Sequence, residues 1–269
     1  MPELMIKGVR IGVGRPKAVV SLMGGTVEEL VATAGRAITQ GADCLEWRVD
    51  HFPGIGDAQA VCEACRTLGT ALSQVPLICT IRSTGQGGAL ELPTDGHVAL
   101  LRAVIEGGGP DLVDIEANIG DDAVRELVAR AHERDVRVIV SHHDFAGTPE
   151  TERMVALLVH LASLGADIPK LAVMARATPD AHRLMRATAL ARERLDVPLA
   201  TMAMGAAGQR TRLTGEVFGS ALTFCALGAA SAPGQVELAE ALEAMEAVHR
   251  MAVAGTERPS TGAGGIVEG

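Results

Sequence analysis

Eight short apolar runs recur along the chain, and segments with apolar residues at helical spacing lie between them. The runs cover 17–23, 44–50, 76–82, 111–118, 137–145, 170–175, 198–205 and 219–227. Strands that alternate with helices in this way build a parallel sheet whose crossovers are helical. Eight such units within 269 residues favour a (β/α)8 TIM barrel. An open doubly wound sheet is the alternative, because the pattern does not show whether the sheet closes.

The two ends of the chain fall outside this repeat. Residues 1–16 precede the first run, and we expect them to form an additional N-terminal strand or hairpin. No internal linker divides the chain, so residues 1–253 are predicted to form one (β/α)8 domain. The segment 254–269 is rich in Gly, Ser and Thr with little apolar content, and we expect it to be disordered.

Charge and composition exclude several classes of partner. A net charge of −9 opposes binding to nucleic acid or to an anionic membrane, and 2% aromatic residues leave no platform for stacked bases. No apolar run reaches the roughly 18 residues that span a bilayer. The start MPELMIKGVR lacks the apolar core of a secretory signal, and five scattered cysteines suggest no disulfide framework. We therefore expect a cytoplasmic protein whose partner is a small molecule.

Polar residues interrupt five of the runs at alternate positions. Strands of a parallel barrel are buried on both faces and are normally apolar throughout. Here one face of each run carries polar side chains, namely Glu46, Arg48, Asp50, Thr80, Arg82, Asp114, Glu116, Asn118, Ser141, His143 and Lys170. If the apolar faces pack on the helices, these side chains point into the barrel. They form either a salt-bridge network that fills the interior or a small-molecule site, and convergence from five strands favours the site.

Lys170 is the residue with the most specific chemistry. Only three of the 24 basic residues are Lys, and this one lies in an apolar run. A neutral amine in a dry site adds to ketones and forms a Schiff base. The alternative is a Lys that reaches out to solvent, since the start of a run is the end of the barrel away from the active sites of this fold.

Other residues supply groups that such a reaction needs. His143 is a candidate general acid and base, because imidazole titrates near neutral pH. Arg82 and Arg212 can each grip a carboxylate with two hydrogen bonds. The segment 231–235 follows the last run and combines Pro, Gly and polar groups, which is typical of a loop that closes over a ligand.

Signals for a metal or a cofactor are weak. Cys62 and Cys65 have the spacing of a metal pair, but no second pair completes a zinc site, and helical spacing favours two buried thiols. Gly12 and Gly14 lack the third glycine of a dinucleotide-binding loop. We expect no metal, no organic cofactor and no nucleotide.

Taken together, these segments resemble the type I 3-dehydroquinate dehydratase family. The resemblance rests on order and spacing in the segments 45–50 (LEWRVD), 80–82 (TIR), 114–116 (DIE), 141–145 (SHHDF), 168–170 (IPK), 212–220 (RLTGEVFGS) and 231–235 (SAPGQ). It implies a (β/α)8 barrel that is usually a homodimer and needs no metal or organic cofactor. It also implies a lyase of the shikimate pathway of aromatic amino acid biosynthesis, which removes water from 3-dehydroquinate to give 3-dehydroshikimate.

The resemblance assigns roles to residues of this chain. Lys170 is expected to form an imine with the substrate ketone, and His143 to move the protons. Arg212 is expected to hold the substrate carboxylate. The remaining substrate-binding residues are expected to be Glu46, Arg48 and Arg82 at the hydroxyls and Ser231 and Gln235 on the closing loop.

One departure from the family pattern concerns the partner of His143. The family commonly has Glu followed by two glycines after the third strand, whereas this chain has Gln86, Gly87 and Gly88. Because an amide carries no charge to stabilise imidazolium, we expect His143 to titrate lower here than in the usual arrangement. Two other functions stay open: a class I aldolase, which also uses a barrel Lys, and a catalytically impaired barrel that senses its ligand.

Overall fold

Each apolar run of the sequence forms one strand, and the segments between them form helices. The structure is a computed structural model that describes residues 2–89 and 91–256. The strands are β1 (Leu4–Ile6), β2 (Val9–Ile11), β3 (Lys17–Leu22), β4 (Cys44–Arg48), β5 (Leu77–Thr80), β6 (Leu112–Glu116), β7 (Arg137–Asp144), β8 (Ile168–Met174), β9 (Ala200–Met204) and β10 (Leu222–Cys225). The helices are α1 (Val27–Thr39), α2 (Ala58–Ala71), α3 (Thr94–Gly107), α4 (Asp121–His132), α5 (Thr151–Ser163), α6 (Thr178–Arg192), α7 (Gln209–Leu213), α8 (Gly215–Phe218) and α9 (Leu238–Thr256).

Local sequence explains where the helices begin. At α1, the Thr26 hydroxyl accepts a hydrogen bond from the backbone N–H of Glu29, and the Glu29 carboxylate accepts one from Gly25. At α2, the Asp57 carboxylate caps the first turn in the same way. Such caps satisfy N–H groups that have no partner within the helix, and each contributes about 0.5–2 kcal/mol.

Strands β3 to β10 form one parallel sheet that closes almost completely. Strands β3 to β9 pair in chain order, and β10 pairs with β3 over four residues. Between β9 and β10 the pairing is limited to one isolated bridge, which joins Leu199 and Ser220. The Ser220 hydroxyl adds two hydrogen bonds: it accepts one from Thr201 N–H and donates one to Thr201 O, both at 2.9 Å. We call this contact the seam. The (β/α)8 barrel prediction is thereby confirmed over the open sheet.

The N-terminal hairpin closes one end of the barrel. Strands β1 and β2 pair antiparallel, which confirms the predicted extra hairpin. Its Ile6 and Ile11 are buried against residues near the starts of the barrel strands, among them Ile78, Leu112 and Ile168. This apolar floor excludes water from the amino-terminal end of the barrel, so a ligand site has room only at the carboxyl-terminal end.

Alternation along the strands separates the two sides of the barrel wall. In β4, Leu45 and Trp47 point outward into the core beneath the helices, where Trp47 is fully buried and meets Phe52 edge-on. Glu46 and Arg48 point inward and are also buried. Because successive strand residues face opposite sides, apolar packing outside forces the polar residues of each strand into the interior.

The last helix continues to Thr256. The remaining part of the predicted tail, 257–269, lies outside the described residues, so its expected disorder stays a prediction. Across residues 2–89 and 91–256, none of the helices combines the length and the apolar character needed to cross a bilayer.

Candidate active site

A cavity opens at the carboxyl-terminal end of the barrel strands. It encloses about 550 Å³ of empty space, part of which is open to solvent. All nine residues that the sequence predicts for the site line it: Glu46, Arg48, Arg82, Gln86, His143, Lys170, Arg212, Ser231 and Gln235. The structure therefore brings every predicted site residue together around one space.

Lys170 lies at the bottom of this cavity. It is the third residue of β8, which starts at Ile168, and it is level with Ser141 of β7. The Lys170 side chain is 4% exposed, its Nζ donates to Asp114 Oδ2 at 2.9 Å, and it lies 4.1 Å from the centre of the Phe224 ring. In the sequence, Lys170 stands at the start of its apolar run. In the structure the strand begins two residues earlier, at Ile168, so Lys170 lies within the strand.

Asp114 fixes the Lys170 amine and is itself held by two other strands. Arg82 Nη2 donates to Asp114 Oδ2 at 2.8 Å, and the Ser141 hydroxyl donates to Oδ1 at 2.5 Å. Burial would raise the pKa of Asp114, but the charges of Arg82 and Lys170 outweigh burial and hold the pKa well below its usual range. The carboxylate is thus charged, and it orients the amine.

Arg82 lines the cavity and is also a central link of the interior. Besides Asp114, its Nη1 donates to Glu116 Oε1 and to Ser141 Oγ, each at 3.0 Å. The two carboxylates raise the pKa of Arg82 despite its burial, which acts in the opposite direction. Both terminal nitrogens therefore bond to the protein, although Nη2 keeps a second N–H.

His143 lies on β7, the strand next to the one that carries Lys170, and it contacts Gln86. The backbone N–H of His143 donates to Gln86 Oε1 at 2.7 Å, which identifies that amide atom as the oxygen. Since the ring Nδ1 lies 3.2 Å from the same oxygen, Nδ1 carries the proton and Nε2 carries the free lone pair. Burial and the nearby charges of Arg82 and Lys170 lower the pKa of His143 well below 6.5. The imidazole is neutral at neutral pH and is available as a base.

Glu46 and Arg48 are held by different means. The Glu46 oxygens accept hydrogen bonds from the Ser21 hydroxyl at 2.5 Å and the Thr80 hydroxyl at 2.8 Å. Arg48 donates twice to Asp50, with both distances 2.7 Å. Both side chains are fixed in place before any ligand binds.

Arg212 is a buried cation that pairs with no carboxylate among the described residues. Its terminal nitrogens make only long hydrogen bonds, to Phe224 O at 3.4 Å and Pro233 O at 3.3 Å, and its Nε has no partner there. Burial lowers the pKa of Arg212 to about 10, so the group stays charged at neutral pH. A buried guanidinium with so few hydrogen-bond partners suits a ligand that carries a carboxylate.

The loop between β10 and α9 covers the cavity from one side. Ser231 N–H donates to Gln235 Oε1 at 2.7 Å, and the Ser231 hydroxyl donates to Ser21 Oγ at 3.0 Å. Further along, Gly205 N–H donates to Pro233 O at 3.3 Å. These contacts place the loop over Glu46 and Arg212, where it limits access of water.

Asp114, Ser21 and Thr80 are not among the site residues predicted from the sequence. Asp114 and Thr80 lie on the polar faces recognised in their runs, so alternation is the signal that could have found them. Ser21 is a single hydroxyl in an otherwise apolar stretch of β3 and gives no such signal.

The structure also places the pair of cysteines considered for a metal. Cys62 and Cys65 are buried in α2 as free thiols. Within the described ranges 2–89 and 91–256, no group of three or more His, Cys, Asp or Glu side chains is arranged to hold a metal ion.

Comparison with known proteins agrees with this geometry. The type I 3-dehydroquinase family matches residues 18–252. The 3-dehydroquinate dehydratase of Escherichia coli O9:H4 (strain HS) is 41% identical over 251 residues, which is 93% of this chain and 100% of the relative.

Solved structures lead to the same result. The type I 3-dehydroquinate dehydratase of Clostridium difficile superposes with a TM-score of 0.87 at 36% identity, covering 92% of this chain and 98% of that one. The 3-dehydroquinate dehydratase of Geobacillus kaustophilus HTA426 gives 0.88 at 33% identity, covering 92% and 96%. Since the matched segment contains every residue that lines the cavity, the chain belongs to the type I 3-dehydroquinase family.

Proposed function

We propose that this cavity removes water from 3-dehydroquinate through an imine on Lys170. Membership of the family makes the chain a 3-dehydroquinate dehydratase, a hydro-lyase. The observation that supports the imine route most directly is the buried Lys170 amine, held by Asp114 in the same cavity as the neutral His143.

The first step joins the enzyme and the substrate. His143 takes a proton from the Lys170 ammonium, and the amine so formed adds to the C3 ketone. The resulting carbinolamine then loses water, with the proton returned by His143, to give a protonated imine. His143 Nε2 is free to take and return the protons of this step. The positive imine nitrogen forms where Asp114 already provides a fixed negative charge, so little rearrangement of the site is needed.

The second step is the elimination. His143 removes a proton from C2, and the electron pair moves toward the imine nitrogen to form an enamine. The enamine then expels the C1 hydroxyl, which leaves as water with the proton from His143. Hydrolysis of the imine consumes one water, releases 3-dehydroshikimate and restores the amine, so that one water is produced per turnover.

Substrate recognition follows from the charges that the cavity leaves unused. We assign the substrate carboxylate to Arg212, whose guanidinium has no carboxylate partner among the described residues. Glu46 and Arg48 face the same space and suit the ring hydroxyls. Arg82 acts with them by its charge and through Asp114, to which its Nη2 donates. Ser231 and Gln235 close the site from the loop.

Borohydride trapping tests the proposal directly. We expect reduction in the presence of 3-dehydroquinate to leave a stable adduct on Lys170, located by peptide mass spectrometry. The other lysines serve as internal controls, since Lys7 and Lys17 donate to backbone carbonyls near the closed end of the barrel. Consumption of substrate without an adduct would contradict the imine route, and loss of both would contradict the proposed function.

Gln86→Glu is expected to raise the pKa of His143. A carboxylate that accepts the Nδ1 proton stabilises imidazolium, so the acid limb of the kcat/KM profile should move up by about 1 to 3 pH units. In the unmodified protein this limb should lie well below pH 6.5, because burial and two cations depress the pKa of His143. Gln59→Glu, which adds a charge on the exposed face of α2, is the control and should leave the limb in place. An unmoved limb in Gln86→Glu would contradict this interpretation.

We further propose that the protein is a cytoplasmic homodimer. Five free, buried cysteines suit a reducing compartment, and the family resemblance supports the dimer. Light scattering of the purified chain measures the oligomeric state, and a monomer at working concentration would contradict the dimer.

A further inference from the structure

Asp50 does not line the cavity, yet its carboxylate joins two parts of the site. It lies two residues after β4 in a short turn, Val49–His51, and its side chain is fully buried. Its two oxygens accept from Arg48 Nε and Nη2, each at 2.7 Å. Its Oδ2 also accepts from the backbone N–H of Ala89 at 3.0 Å. One carboxylate thus fixes a cavity side chain and a distant stretch of backbone.

Ala89 ends a segment that crosses the mouth of the barrel between β5 and α3. We call residues 83–89 the strap. At its start, the Ser83 N–H and hydroxyl both donate to Glu116, at 3.0 and 2.6 Å. In its middle, Gln86 Oε1 accepts from the N–H and Nδ1 of His143. At its end, Asp50 holds Ala89.

Three backbone hydrogen bonds close a turn within the strap: the N–H groups of Gln86 and Gly88 donate to Ser83 O at 3.0 and 2.8 Å, and that of Gly87 donates to Thr84 O at 3.1 Å. Gly87 has a φ of 85° and packs on the Phe145 ring, and Gly88 lies directly against the Arg82 carbonyl. Both glycines gain conformational freedom when their neighbours are released. The internal hydrogen bonds fix the shape of the turn, whereas the anchors at Ser83 and Ala89 fix where the turn lies and so where Gln86 meets His143.

Asp50 carries a negative charge at neutral pH. Burial would raise the pKa of Asp50, but the Arg48 guanidinium and the Ala89 N–H lower it overall. Since Asp50 accepts from both groups at once, any shift of the turn after β4 moves Arg48 and the strap together.

We propose that Asp50 is a positioning residue that holds Gln86 on His143 through the strap while it fixes Arg48. The inference rests on the proposed function for its kinetic consequence, but the anchoring itself does not. Asp50 contacts neither His143 nor Gln86, so its effect on proton transfer passes through the backbone from Ala89 to Gln86.

The kinetic test is a double-mutant cycle between positions 50 and 86. Asp50→Asn should lower kcat by about 10- to 100-fold, because small displacements of a proton-transfer group are costly. It should also raise KM through the release of Arg48. In a Gln86→Ala background the same change should alter kcat by less than about twofold, while the KM effect persists. If the kcat effects multiply independently, the proposal is wrong.

A matched control is present at the opposite end of the barrel. Asp43 accepts from Arg15 Nη1 and Nη2 at 2.6 and 3.1 Å and from the Ala18 N–H at 2.7 Å. Asp43→Asn removes the same kind of pair far from the strap, and kcat should stay within about twofold of the parent. A similar kcat loss in Asp43→Asn would mean that general destabilisation, not positioning, explains the result at Asp50.

Hydrogen exchange separates the anchoring from the chemistry and needs no substrate. Asp50→Asn should speed exchange at the amides of residues 83–89, whereas Asp43→Asn should not; equal exchange in the parent and Asp50→Asn overturns the proposal. If Asp50→Asn does not fold, Ala89→Pro breaks the anchor from the other side, by removing the N–H donor and placing a ring carbon there, while Arg48 and Asp50 both remain. Ala89→Pro should then lower kcat with little change in KM, and a parent-like kcat would contradict the role of the strap. A parent protein without dehydratase activity would refute the proposed function, while the exchange result would still decide the anchoring.

Discussion

Lys170→Met is expected to abolish dehydration of 3-dehydroquinate, with kcat lowered by about 10⁵-fold or more. Met is similar in length and apolar, but it cannot form the imine that accepts the electron pair from C2. Without this electron sink, a carbanion beside a ketone is a poor intermediate at neutral pH. Formation of the conjugated product, followed by absorbance, measures the loss.

The structure indicates that Lys170→Met will still fold. Asp114 keeps its hydrogen bonds from Arg82 and Ser141 when the amine is removed, so no buried carboxylate is left unpaired. Lys17→Met is the matched control, because Lys17 also lies in a barrel strand but bonds to Val13 O and Arg15 O near the closed end. An active, folded Lys170→Met variant would disprove the covalent route.

His143→Ala should lower kcat by about 10²- to 10⁴-fold, the usual contribution of one positioned acid or base. His143 Nε2 is the free basic nitrogen of the cavity, and Ala leaves only solvent water to move the C2 proton. The rate of imine formation should fall less than the rate of elimination, so borohydride should still trap an adduct on Lys170 in this variant. Single-turnover kinetics together with trapping separate the two steps.

The neighbouring His142 provides the control for this substitution. It lies on the outer face of β7, in a groove with Met154 and Leu171, and does not line the cavity. His142→Ala should keep kcat within about twofold of the parent, since it touches no group of the cavity. If both variants lose activity equally, His143 has no special role in proton transfer.

Alternation predicted which polar residues enter the barrel within the strands, but it was wrong beyond a strand end, where Asn118 is exposed in the turn after β6. Glu46 and Arg48 on β4 and Asp114 on β6 all lie inside as their two-residue period requires. The pattern says nothing of which partner each residue finds, because partners depend on how far neighbouring strands are shifted. Contact between Lys170 and Asp114 requires the register of β6, β7 and β8, and no single strand contains this information.

Loops were less predictable than strands. Gln86 was recognised only through the family resemblance, and its contact with His143 bridges 57 positions of sequence. Asp50 continues the polar face of its run, yet it follows the strand in a turn and bonds to a backbone amide of the strap. The pattern of side chains in the sequence does not predict a hydrogen bond to a backbone amide of this kind.

The seam between β9 and β10 has a consequence for how the molecule moves. Seven of the eight strand junctions are full ladders, whereas this one depends on a single bridge and the Ser220 hydroxyl. Partial unfolding events begin where the fewest backbone hydrogen bonds must break. Strand β10 carries Phe224, which contacts Lys170 through its ring and Arg212 through its carbonyl, and it leads into the loop of Ser231. The least protected edge of the barrel is therefore also the side that carries Phe224 and Arg212 of the cavity, so we expect local opening of the barrel at this edge to open the cavity as well.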